Sequence, residues 1–181
     1  MLLIFFVAAI VTGILTTRIK QQEIIVRKRE ERTRYLYEFS RSLIQSKTLV
    51  QIVDSFTSTI AKHFGGHAIV LLGTNEKDFF AAQASNSRIK EKEAAVAAWT
   101  FSQEKPAGWS TQTLSGSKCL CLPMKGQKKI LGVLMFYPLS TQSFFSIDEE
   151  NFLETLLNQA SITIENNFDD LTIYSFLSSQ K

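Results

Sequence analysis

Charged side chains are absent from Met1 to Thr17, where ten residues are Leu, Ile, Phe or Val, and then Arg18 and Lys20 open a basic stretch. Past that stretch, Leu36, Phe39 and Leu43 continue an apolar spacing to about Ile44 with no Gly, Pro or Ser-rich break, which predicts one long helix. The pattern resets near Ser46 to Thr48, where Thr48 and Gln51 have the spacing of a capping box. Leu49, Val53, Phe56, Ile60 and Phe64 then recur every three or four residues, an apolar stripe that Gly65-Gly66 ends. Two short apolar runs follow, Ala68 to Leu72 and Phe79 to Ala84, parted by the polar residues from Gly73 to Asp78; they predict a hairpin. Glu91 to Lys105 is alanine-rich with Val96 and Trp99 at helical spacing, and Pro106 cannot continue it. Lys118 to Met124 and Lys129 to Tyr137 predict two more strands around a turn at Lys125 to Lys128. In the second, Leu131, Val133, Met135 and Tyr137 face one way and Ile130, Leu134 and Phe136 the other, so both faces are apolar and the strand is central. Ser146 and Glu149 form a second capping box, and Leu153, Leu157, Ala160 and Ile164 extend a helix to about Asn166. The plan is α+β: terminal helices cover one face of an antiparallel sheet, and the other face is free to hold a pocket.

The uncharged opening segment is at the short end of what spans a bilayer, with each Leu, Ile, Phe or Val contributing about −0.3 to −0.6 kcal/mol near the centre. A cleaved secretory signal would carry a charged start and a small-residue cleavage pattern, and neither is present. A buried core helix would not open a chain and end at a basic cluster. The expectation is therefore a transmembrane helix over 1–19, a basic signalling helix over 20–45, a sensory domain over 46–166 and a short tail over 167–181. Arg18, Lys20, Arg27, Lys28, Arg29, Arg32 and Arg34 outnumber Glu23, Glu30 and Glu31 just after the span, which puts the C-terminal side in the cytoplasm. Those cations suit anionic headgroups or, paired as Glu30 with Arg34, a solvated helix face.

A net charge of +3, concentrated in that stretch, argues against nucleic-acid binding. Fourteen Phe in 181 residues exclude a disordered chain, since that much apolar surface can offset the entropy of ordering. Cys119 and Cys121 stand one residue apart in an apolar run, so a disulfide framework is excluded and a mutual bond would be strained. His63, His67, Cys119 and Cys121 are of ligand type, but neither pair has a finger spacing and buried cysteine is common in cores; no metal and no cofactor are expected. No catalytic residue is expected either: no phosphate loop occurs, no Ser, His and Asp set stands out, and neither histidine has the acidic neighbour of a phosphorylated one.

Trp99, Pro106-Ala107-Gly108, Thr111, Thr113-Leu114, Leu122-Pro123, Gly132-Val133-Leu134 and Asn158-Gln159-Ala160 together resemble the GAF domain of KdpD-type potassium-responsive sensor histidine kinases. The basic stretch with Glu30-Glu31-Arg32-Thr33, followed by Leu36-Tyr37-Glu38-Phe39-Ser40-Arg41, is similar to that family's last membrane helix and its entry into the GAF domain. The resemblance covers most of residues 1 to 166. It implies a GAF-like sheet behind a long N-terminal helix in the bacterial inner membrane, homodimerisation through the flanking helices, and signalling for potassium or osmotic stress by helix movement. It places any small ligand between the sheet and the loops from Trp99 to Leu114, with Trp99, Trp109, Thr111 and Thr113 as the implied ligand-binding residues. Trp99 is expected in the core, and Trp109, after Gly108 in a loop, is more open to a surface or lid role. The family's phosphorylated-histidine and ATP-binding domains have no counterpart after Asn166, so the chain is expected not to be an enzyme, and a kinase partner would come from another chain. The alternatives are a ligand-binding GAF module of another signalling protein and a non-functional remnant of a sensor kinase. Phe144, Asp148 and Glu149 have a spacing faintly like that of cyclic-nucleotide-binding GAF domains, but the helix cap already accounts for Glu149; nothing beside Cys119 or Cys121 supports a bilin.

Overall fold

The structure is a computed structural model that describes residues 30–73, 79–81, 89–139 and 145–167. The expected transmembrane helix, most of the basic stretch, the hairpin turn at 74–78, Phe144 and the tail lie outside the described residues. Among the described residues no helix is long and apolar enough to cross a membrane.

The chain divides into two units, with the boundary between Glu38 and Phe39. In the first unit, residues 30–38 are helical. Arg34 Nε lies 3.9 Å from Glu38 Oε1 and its guanidinium stands 5.9 Å from the Tyr35 ring centre, exposed contacts that hold little stability.

The second unit carries the fold. Helix α1 is described over 30–45; its residues from Phe39 onward bury Phe39 and Leu43, with Phe39 against Phe56 at 5.9 Å between ring centres. Thr48 caps α2 (Leu49–Ile60), its hydroxyl accepting the Gln51 N–H at 3.3 Å while the Gln51 side chain reaches back to the Lys47 N–H at 2.8 Å. The helix then widens into one π-helical turn, Ala61–Gly65, a feature the apolar spacing does not announce. Gly65 (φ 65°) and Gly66 (φ 149°) turn the chain into β1 (Gly66–Gly73), and at Gly66 a Cβ would press on the Tyr137 carbonyl. Strand β2 is described over Phe79–Ala81 and pairs antiparallel with β1, as the hairpin reading expects. Helix α3 (Glu91–Gln103) stops earlier than Lys105, because Glu104 adopts the left-handed conformation at φ 51°.

Ala107–Gly108 form a short edge strand, β3, which the Pro106-Ala107-Gly108 turn signal had hidden. Strands β4 (Leu120–Lys125) and β5 (Ile130–Pro138) follow, then α4 (Ile147–Asn167) behind the expected box: Ser146 N–H to Glu149 Oε2 at 2.8 Å, and Glu149 N–H to Ser146 Oγ at 3.3 Å. Among the described residues five strands run in the order β2-β1-β5-β4-β3, every pairing antiparallel, with β5 in the middle as its two apolar faces require.

Alternation along the strands divides the core. Ala68, Val70, Leu72, Leu120, Leu122, Met124, Leu134 and Phe136 point toward α2 and α4, which pack on each other and on that face. Ile69, Leu71, Cys119, Cys121, Val133 and Met135 point the other way and meet Val96, Ala97 and Phe101 of α3. The second face is therefore not bare. Helix α3 covers part of it and leaves room at the helix N-terminal end.

Candidate functional site: the cavity under the start of helix α3

That room is a cavity of about 1020 Å³, walled by Ile89 to Glu93 and Val96 on one side and by Leu114 and Gly116 to Lys118 on the other. It matches the upper size of small-molecule pockets. One wall is the first turn of α3, where Glu91 and Glu93 meet the positive end of the helix dipole. The other is the loop between β3 and β4, shaped by left-handed residues at Ser110 (φ 63°) and Leu114 (φ 54°). Lys90, Lys92 and Lys118 outnumber Glu91 and Glu93 around it, so its rim is weakly positive.

At the edge of the cavity the polar groups form a connected set. Tyr137 Oη donates to Glu93 Oε2 at 3.0 Å, tying β5 to α3. Ser117 Oγ lies 3.3 Å from Cys119 Sγ, and Cys119 Sγ lies 3.7 Å from Cys121 Sγ. Both cysteines are free and fully buried. The hydrogen bond with the Cys121 thiol, aided by the Ser117 hydroxyl, pulls Cys119 below the ordinary thiol range against the opposing effect of burial. The same hydrogen bond, followed by burial, pushes Cys121 up, so the pair holds on to one proton between two sulfurs. Burial first, then the negative charge at Cys119 and Glu93, pushes the Tyr137 phenol up, so it stays a donor.

The residues expected at a ligand are dispersed. Trp99 is half-buried against the α3-side cluster, in keeping with a core position. Trp109 is buried, at 7% exposure, and its ring stands edge-on to Phe145 at 5.3 Å, so the surface or lid role is corrected. The physical reason is an aromatic cluster on the opposite sheet face, where Phe145, Phe136, Phe64 and Phe152 meet and Trp109 completes the packing. Thr111 serves its own loop: its hydroxyl lies 2.7 Å from the Gly108 carbonyl and 2.8 Å from that of Thr113. None of Trp99, Trp109, Thr111 and Thr113 is among the described residues that wall the cavity.

His63 stands edge-on to Phe64 and Phe152, while His67 stands across from Tyr137 at 6.4 Å. The two histidines and two cysteines therefore do not converge, and among the described residues no group of three or more His, Cys, Asp or Glu is arranged to hold a metal. Glu93, Ser117 and Tyr137 were not singled out by their sequence. Alternation alone puts Tyr137 on the face of Cys119 and Cys121 only once the register pairing Leu120 with Phe136 is known.

A model of the GAF domain matches residues 48–166, which run from the cap of α2 to the last turn of α4. The chain belongs to the GAF domain family. Its GAF domain and the residues before it are similar to the sensor protein KdpD of Escherichia coli, 27% identical over 170 residues, covering 94% of this chain and 18% of that protein. KdpD of Clostridium acetobutylicum is also 27% identical, over 139 residues, covering 72% of this chain and 15% of its relative. The chain thus spans under a fifth of the curated relatives it matches. Among solved structures, the GAF domain of the E. coli potassium sensor histidine kinase KdpD superposes with a TM-score of 0.63 at 22% identity, covering 81% of this chain and 98% of that one. The GAF domain of an Acinetobacter phosphoenolpyruvate-protein phosphotransferase gives 0.57 at 18% identity, over 75% and 94% of the two chains. At those identities the likeness is one of fold. A GAF domain is a sensory module and not itself catalytic, although the relatives belong to a kinase.

Proposed function

We propose that this chain is a membrane-anchored relay module of a KdpD-like two-component sensor, with its GAF domain on the cytoplasmic side of the bacterial inner membrane, serving potassium or osmotic signalling. The reading rests on one observation above the others. Similarity to the E. coli sensor extends over 94% of the chain, well outside the 48–166 of the GAF domain, and so takes in the apolar and basic lead. That lead has the composition of a short span with its basic exit inside.

Signal would pass without chemistry, through α1 and α4 on one side of the sheet, to a histidine kinase partner. Second copies of the chain are the natural neighbours of those helices. A groove of about 540 Å³ runs between them, lined by Ser40, Leu43, Ile44, Gln159, Ile162 and Thr163, with Ile44 85% exposed. Filling it in a homodimer would bury these side chains, and a small rotation of the helices would then alter what the partner meets.

Fractionation of the full chain carrying a C-terminal tag tests the anchor. The expected result is a membrane pellet resistant to alkaline carbonate, with the tag digested by protease only after the cytoplasmic face is opened. Release of the chain by carbonate would overturn the anchor.

The cavity under α3 favours a second reading, a ligand-binding GAF module of another signalling protein. Its loop would then close on an anionic small molecule, and Thr111 and Thr113 would act by shaping the loop. Thermal-shift screening with nucleotides separates the two, since a bound ligand raises Tm with occupancy.

A further inference from the structure

Leu114 has a left-handed backbone (φ 54°), which a bulky L side chain avoids unless its surroundings fix it there. They do so from both sides. The Thr113 carbonyl accepts the Gly108 N–H and the Thr111 hydroxyl, both at 2.8 Å, and the Leu114 carbonyl accepts the Ser117 N–H at 3.1 Å. The loop between β3 and β4 thereby keeps an apolar side chain, 47% exposed, in the wall of the α3 cavity instead of folding it into the core. Ile89 and Val96 supply further aliphatic surface from the α3 side.

The polar groups select a charge. Lys90 and Lys92 on one wall and Lys118 on the other are exposed, and none of the three is ion-paired to a described residue. Of the two carboxylates beside them, Glu93 already accepts the Tyr137 hydroxyl at 3.0 Å. Three ammonium groups against two carboxylates leave one net positive charge, which answers a monoanion better than a phosphate dianion. No described wall residue carries an aromatic ring on which a nucleobase could stack, whereas Leu114, Ile89 and Val96 suit an aliphatic body.

We propose that the α3 cavity binds a medium-chain aliphatic carboxylate, its chain against Leu114, Ile89 and Val96 and its carboxylate held by Lys118 from one wall and Lys92 from the other. The ligand bridges the β3–β4 loop and the start of α3, the element that Tyr137 ties to β5 through Glu93. This ligand class rests on the reading of the cavity as a small-molecule site, and it does not depend on potassium or membrane signalling.

The test is photolabelling of the full chain in lipid nanodiscs with an octanoate analogue carrying a diazirine at the far end of its chain, the labelled peptides being mapped by mass spectrometry. Saturable label is expected within 89–96 and 114–118, displaced by octanoate but not by octanamide, octylamine, AMP or cyclic GMP. Lys92→Gln with Lys118→Gln should raise the octanoate needed for displacement about tenfold. Leu114→Asn, which keeps a residue that tolerates the left-handed backbone, should raise it as well, and Lys125→Gln, outside the cavity, should leave it unchanged. Label confined to 1–29, which means that the probe followed the lipid, equal displacement by octanamide, or unchanged displacement in the lysine double variant would each overturn the proposal. Displacement by a nucleotide and not by octanoate would overturn the carboxylate while keeping the cavity as a ligand site, and displacement by neither would overturn both.

Discussion

The Glu165 carboxylate accepts the backbone N–H of Lys128 at 3.0 Å, and its other oxygen takes the N–H of Gln127. A side chain near the end of α4 thereby holds the turn between the two central strands of the sheet. Gly126 permits the approach: a Cβ there would lie 2.6 Å from Glu165 Oε2. If α4 carries a signal out of the GAF domain, this is a direct tie between sheet and exit helix.

The tie has a pH signature. The hydrogen bonds from Gln127 and then Lys128 hold the Glu165 carboxyl below its ordinary value of 4.5. The unfolded chain therefore binds more protons than the folded one between the two values. The contribution of Glu165 is complete above 4.5 and is lost as pH falls through the lower folded value. Thermal unfolding between about pH 3 and 7 should show a drop in Tm at the acid end that is smaller in Glu165→Gln, and Glu165→Gln should already melt lower at neutral pH.

Gly132 lies on β5 opposite Leu72, where a Cβ would press on the Leu71 carbonyl and stand 2.9 Å from the Leu72 Cα. Backbone, not a pliable side chain, is in the way. Gly132→Ala should cost about 1–3 kcal/mol in a denaturant titration. An unchanged midpoint would mean that β1 and β5 are not paired in this register.

Thr100 and Ser161 are fully buried, and their hydroxyls have no hydrogen-bond partner among the described residues. Removing an unsatisfied buried hydroxyl returns the cost of having desolvated it. Thr100→Val and Ser161→Ala should each raise stability by about 1 kcal/mol, read as a higher unfolding midpoint.

Tyr137 links β5 to the first turn of α3 through Glu93, at the edge of the cavity. Tyr137→Phe should cost about 1 kcal/mol of stability by equilibrium unfolding. It should also speed amide exchange over 89–96, because the loss falls on the cavity wall more than on the core.

Much of this fold was legible along the chain, because capping and alternation are local. Thr48 with Gln51 and Ser146 with Glu149 announced two helix starts, and the doubly apolar β5 announced its central place. What stayed hidden depends on partners distant in sequence. The two-residue β3 exists only because β4 is beside it, and Pro106 next to it reads as a turn. Trp109 looks like loop until Phe145, thirty-six positions later, gives it a surface to pack on. The cavity edge was the least legible part. Tyr137 meets Glu93 across forty-four positions, and only the sheet register sets it beside Cys119.

Cross-linking at Ile44 within native membranes bears most directly on the relay reading, because it asks at once whether the chain is in the membrane and whether its helices meet a second copy. Ile44→Cys in the full chain, treated with a short bismaleimide, should give a covalent dimer in the membrane pellet, and adding Ile162→Asp should abolish it. A folded Ile44→Cys chain that stays monomeric under the reagent, or that is found outside the pellet, would contradict the account.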